Sequence, residues 1–267
     1  MTMVRTFLKE LQKKWLGGIL PPLIVMLLIP LIAGIWPEFQ EQVAQFADLL
    51  ENPVYEGFLG QLAFLNIAKW SGFYFMYIFT WIEMIVVYIT ITRPVRLITS
   101  EVDKNTLDFM LSYPIPRWRY LLEKYSGFLF YNLLYPALLL LASYFSTLAL
   151  NEEMPYATLT YALIGTWCLF FTLGALSLLC GAVFLESRKA LSAAAVVILS
   201  QWLFVRIGGL VDSLEFLQTI SLFHYLNAHT IYQLGKFPVD EFFIVIGVGI
   251  AALIGALVVF EKRDLAY

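Results

Sequence analysis

The chain is poor in most of what a soluble enzyme uses. Of its 267 residues only 14% are charged, against roughly 25% in soluble domains. It has two histidines and two cysteines. His224 and His229 stand five apart with no acid between them, which is not the spacing that puts two zinc ligands on one helical face, so they read as interfacial and metal-free. Cys168 and Cys180 lie on one apolar run, about 18 Å apart at 1.5 Å per residue, too far to pair within a subunit. No Ser-His-Asp or Cys-His pairing is legible. The pattern G-x-x-x-x-G-K-[ST] is absent, so this chain does not cradle ATP in such a loop. Internal repeats and low-complexity tracts are missing, as is the in–out alternation of a membrane barrel.

What the chain does have is apolar length. Sixty per cent of it is hydrophobic, and several runs reach about 18 residues or more, the length needed to cross a bilayer as a helix. The expectation is an all-α polytopic membrane protein, one permease-like domain over residues 1–267 with six transmembrane helices. The spans fall near 18–36, 72–92, 128–148, 158–185, 190–211 and 242–260. Residues 1–16 read as an interfacial amphipathic helix. Val4, Phe7, Leu8, Leu11 and Trp15 form one face and Arg5, Lys9, Lys13 and Lys14 the other, suited to a lipid headgroup layer. The apolar run behind it is too long for a signal peptide and lacks a small-residue cleavage site, so an uncleaved anchor is expected. Pro21, Pro22 and Pro30 are expected to bend the first span. Residues 37–70 read as an acidic external loop, and 212–241, too mixed to cross and too apolar to be free, as an external re-entrant or interfacial helix pair.

Charge is sorted along this topology. Fourteen of the 17 Lys and Arg residues fall on the side of the termini, all but Lys69, Arg206 and Lys236. The basic bias sets orientation, so both termini are expected in the cytoplasm of a plasma-membrane protein. Membrane lipids are expected partners and nucleic acid is not. Glu83 is the one acid well inside a span, which makes it an intramembrane polar candidate: a substrate contact, a proton relay, or a structural acid bonded to a nearby hydroxyl such as Tyr74, Tyr77 or Tyr88. Arg206 lies near enough to a span end to snorkel. Gly247, Ala251 and Gly255, like Ser177 and Gly181, form small-xxx-small ladders expected to pack within the subunit. The aromatic crowd from Phe73 to Trp81 reads mainly as lipid- and core-facing rings, part of which could line a path for a hydrophobic substrate.

The longest charged interruption, residues 93–125, holds the most specific pattern. Ser100 and Asp103 have the S-x-x-D form of a helix start. Glu101, Lys104, Asn105, Asp108 and Ser112 then recur on one face, with Val102, Thr106, Phe109, Met110 and Tyr113 opposite. Pro114 and Pro116 end that helix, and Pro116 suits the start of a second one carrying Arg117, Arg119 and Lys124. Glu101, Thr106, Leu107, Leu111, Ser112, Pro114 and Arg117, followed by Lys124, resemble the first cytoplasmic loop of ATP-binding-cassette (ABC) permeases of the second exporter type. Ser221 to Tyr225, Gly235 and the closing run from Phe260 to Asp264 are similar to the end of such permeases, except that Leu222 stands where the family often has proline.

The resemblance implies a coupling helix seated on an ATPase, carried here by Glu101, Thr106, Leu107, Asp108, Phe109 and Leu111, with Arg117 and Arg119 supporting. It also implies a dimer, a homodimer or a pair with a similar permease, bound to two cytosolic ABC ATPase subunits. No cofactor is expected in this chain, since those partners would bind ATP and Mg. The implied function is export of a hydrophobic or amphipathic substrate. The alternatives are transmission of ATPase-driven motion to an extracytoplasmic partner with nothing crossing, or, from a different class, a membrane-embedded lipid-modifying enzyme using Glu83 and the histidines.

Overall fold

A computed structural model describes residues 15–45, 69–104, 106, 116–210 and 212–263. Among these every regular element is helical: α1 (Trp15–Gln45), α2 (Trp70–Thr92), α3 (Arg96–Val102), α4 (Arg117–Leu150), α5 (Tyr156–Phe184), α6 (Ser187–Gly208), a 3₁₀ turn (Asp212–Leu214), α7 (Phe216–Ile220), α8 (Leu222–Tyr225), α9 (Ala228–Leu234) and α10 (Val239–Lys262). Six of them, α1, α2, α4, α5, α6 and α10, are long and apolar enough to cross a membrane, as expected. The interfacial helix at 1–16 lies almost wholly outside the described residues.

α5 is the hub. It is the most buried of the six and packs against α2, α3, α4, α6, α9 and, most extensively, α10. Its core face carries Leu159, Ala162, Phe170, Leu173, Ala175, Leu178 and Ala182, all fully buried. α10 meets this face with Val245, Gly249, Ala252, Ala256 and Phe260. A Cβ on Gly249 would lie 2.6 Å from the Phe171 ring and 2.7 Å from Thr172 Oγ1, so only glycine lets the helices come this close. Thr172 Oγ1 donates to the Val245 carbonyl across the same seam (2.9 Å). The ladder read from sequence is the wrong face of α10. Gly247 and Ala251 are exposed, and Gly255 touches only Leu179. Spacing alone permits two phases of small residues, and Phe171 and Thr172 select the other. The Ser177–Gly181 ladder does pack within the subunit: Ser177 is fully buried, and Gly181 lies under the Val95 backbone.

α1 departs from expectation at its far end. It runs on through Pro37 to Gln45, so the loop expected from residue 37 begins as helix. Proline removes one hydrogen bond, but Trp36 and Phe39 pack into a ring cluster with Trp70, Phe73 and Tyr77 at centroid distances of 4.5–6.2 Å, and burial of these rings outweighs the lost bond. α1 and α4 run side by side in the same direction. Gly18 sits against the Tyr131 ring, and at the other end Trp36 Nε1 donates to Glu152 (3.0 Å). The stretch from Arg117 to Tyr131, about 21 Å of helix, therefore extends past the level of Gly18. The second helix of the 93–125 loop and the third span are one continuous element. The chain thus has a basic end, with Arg96, Arg117, Arg188 and Arg263, and an acidic end, with Glu152, Glu153, Asp240 and Glu241.

Candidate functional site

The basic end is built on α3. A turn at Arg93, Pro94 and Val95 separates it from α2. Gly181 lets the turn seat on α5: a Cβ there would stand 3.1 Å from the Val95 carbonyl oxygen. The helix start expected at Ser100 is not where the structure puts it. α3 begins at Arg96 and ends at Val102, with Asp103 as its C-cap. The Ser100 hydroxyl donates back to the Arg96 carbonyl, a local bond serine makes as readily as an N-cap. Asp103 accepts instead from the Ser187 hydroxyl at the start of α6, whose oxygen also lies 2.7 Å from Thr99 Oγ1.

Lys124, one of the most buried side chains at 2% exposure, joins α4 to α3. Its Nζ donates to the Leu97 carbonyl (2.8 Å) and to the Glu101 carboxylate. The Tyr120 hydroxyl donates to the second Glu101 oxygen (2.6 Å), and the ammonium lies 4.8 Å from the Tyr120 ring centre. A buried cation is retained only where such bonds replace its water. Here a carboxylate, a carbonyl and a ring do so.

Of the residues expected to couple, Glu101 is therefore an internal brace, half-buried and held from α4. Thr106 is exposed, and its backbone N–H donates to the Glu101 carbonyl (2.9 Å). Leu107, Asp108, Phe109 and Leu111 lie outside the described residues. Arg117 donates to the Arg263 carbonyl (2.8 Å), and Arg119 pairs with Glu123 one turn on (3.3 Å). Sequence reasoning placed Glu261 and Arg263 at this end without their partners, and it missed Tyr120 and Ser187. The Tyr120–Lys124 spacing of four, which stacks two side chains on one face, is the signal that could have found the brace.

At the acidic end the expected helix pair of 212–241 is instead the 3₁₀ turn and three short helices. They fold back against the bundle, with Leu226 and Ile231 reaching Gly165, about 14 Å along α5. Gln201 on α6 receives the Leu222 N–H (2.8 Å) and the Ser221 hydroxyl on its carbonyl (2.6 Å). The Ser71 and Tyr232 hydroxyls are 2.8 Å apart. A cavity of about 10 Å³ beneath this segment is lined by Phe79, Glu83, Thr166, Leu169, Phe223 and Leu226 among others, room for about one water.

Glu83 faces Arg206, not a tyrosine. The two form an ion pair between α2 and α6, with the guanidinium over the Trp202 ring (5.6 Å) and the Glu83 side chain only 11% exposed. Arg206, expected to reach outward, turns inward because a buried carboxylate offers more than a distant interface. The Tyr74 hydroxyl is bonded to Ser143. His229 on α9 is buried, whereas His224 is exposed. Burial, and after it the charge of Arg206, hold the His229 imidazole down to about 4, so it is neutral at pH 7. Among the described residues no three His, Cys, Asp or Glu side chains are placed to hold a metal ion.

Six helices long and apolar enough to cross a membrane, with α3 tied to α4 at the basic end, define an all-α polytopic membrane protein. The family comparison makes this specific: residues 10–265 match the ABC-2 family transporter protein. The chain belongs to that family of ABC transporter permeases. A search of curated proteins found no match, and neither did a search of solved structures.

Proposed function

We propose that this chain is the membrane subunit of an ATP-driven exporter. It works as a homodimer on two separate cytosolic ATPase subunits, which bind the ATP and Mg, and moves a hydrophobic or amphipathic substrate out of the cytoplasm. The basic end faces the cytoplasm of the plasma membrane, with both termini there. The observation that carries the reading is the brace at that end. The segment from Thr106 to Pro116 leaves α3 and enters α4, and Lys124 and Tyr120 join those helices rigidly through Glu101. A push on the segment therefore reaches two bundle elements together rather than being lost in a loose loop.

Phe109 is the apolar anchor of the contact and Lys104 an edge charge. Truncating a buried anchor costs roughly 2–4 kcal/mol of binding, and losing an exposed ion pair about 0.2–1 kcal/mol. Phe109→Ala should sharply reduce co-purification of the ATPase in mild detergent, while Lys104→Ala leaves it nearly intact. Equal retention in both removes this segment as the docking element.

Orientation has its own test. In a background lacking Cys168 and Cys180, a cysteine at Lys104 should react only with reagent admitted to the cytosol, and one at Glu153 with impermeant reagent outside. The opposite pattern overturns the topology.

A further inference from the structure

The closing residues of α10 sit between two helix ends. The Glu261 carboxylate accepts from the Trp118 backbone N–H in the first turn of α4 (2.8 Å). The Arg263 guanidinium donates to the Ala182 (3.0 Å) and Val183 carbonyls in the last turn of α5. Arg117 donates to the Arg263 carbonyl. Each charge lies where the macrodipole favours it, an anion at a helix N-terminus and a cation at a C-terminus. The two groups also satisfy backbone donors and acceptors that a helix cannot satisfy itself.

We infer that Glu261 and Arg263 are positioning residues of the coupling path, an inference that rests on the exporter reading above. Motion of the segment before Pro116 arrives at the first turns of α4. Lys124 passes it to α3. Glu261 and Arg117 pass it to α10, and Arg263 passes it to α5, the helix with which α10 shares the largest contact. The tail thus makes α4, α5 and α10 respond together, so that displacement at the basic end appears at the acidic end of the central pair.

The test uses the full chain assembled with its ATPase in lipid nanodiscs, with one spin label per subunit at the exposed position Lys236 of the acidic end, so that the distance between the labels of the two subunits reports joint motion of α4, α5 and α10. In the unmodified protein, ATP and vanadate should shift this distance distribution. Glu261→Ala and Arg263→Ala should keep the ATPase bound but cut the shifted population ratio about tenfold, the effect of losing one charge-assisted hydrogen bond on a two-state equilibrium. Arg263→Lys, which keeps the cation at the α5 terminus, should restore much of it. A full shift in both alanine variants overturns the inference. So does loss of the folded protein in Glu261→Gln as well as in the alanine variants, which would make the tail purely structural. Absence of any shift in the unmodified complex would instead count against the exporter reading itself.

Discussion

Arg206→Ala should destabilise the bundle by about 3–5 kcal/mol, the range for breaking a buried ion pair by removing one partner. The lower part of the range is expected because the guanidinium is 41% exposed while Glu83 is enclosed. Removal strands a carboxylate between α2 and α6 beside a cavity with room for about one water. Adding Glu83→Gln to the variant should recover most of the loss, because a neutral amide is far cheaper to bury than an unpaired charge. Unfolding in mixed micelles, followed by tryptophan fluorescence, measures both. Equal losses in the single and double variants would mean that Glu83 is relieved by water or by another group. Glu83→Gln alone separates structure from transport: an ATP-driven cycle unchanged across pH assigns the pair to holding α2 on α6.

The second large effect is at the other end. Lys124→Met keeps the length of the side chain but removes the ammonium's bonds to the Leu97 carbonyl and the Glu101 carboxylate, leaving the Tyr120 hydroxyl on that carboxylate. A loss of about 3 kcal/mol is expected, localised to the α3–α4 junction. Hydrogen exchange of 96–103 should accelerate far more than that of α5, whose backbone bonds lie within its own helix. Lys189→Met is the control. Its pair with Glu186 is largely exposed on both sides and should contribute no more than about 0.2–1 kcal/mol. If α3 exchanges at its native rate in Lys124→Met, the brace does not hold the loop.

The six crossings were legible because hydropathy over twenty residues is a sum, insensitive to any one side chain. Boundaries depend on single residues and were not. Pro37 reads as a stop until the Trp36 and Phe39 rings find Trp70 and Phe73, and these belong to a different helix. Ser100 and Asp103 have the form of a cap, yet the choice between capping forward and bonding backward is decided by Val95 docking on Gly181, a contact 86 positions away. The same limit hid the charge partners. Glu83 and Arg206 are 123 residues apart, and no local pattern can pair them. The family resemblance singled out the 93–125 loop as the coupling element. Its key apolar residues, Leu107, Phe109 and Leu111, are those that lie outside the described residues, so the docking face still rests on sequence.

The position of α5 at the hub also constrains how the protein is made. α2, α4, α6 and α10 all lean on a helix that is the fourth of the six to be synthesised. Between the completion of α2 at Thr92 and of α5 at Phe184, a ribosome needs roughly 5–20 s at 5–20 residues per second. Among the described residues, side-chain bonds from α2 to α4 lie near one shared end, at Trp70–Thr147 and Tyr74–Ser143, and form once α4 is nearly complete. Glu83 must meanwhile wait for Arg206, which follows later still. The half-made protein therefore holds the Glu83 carboxyl in the bilayer without its Arg206 partner until α6 arrives.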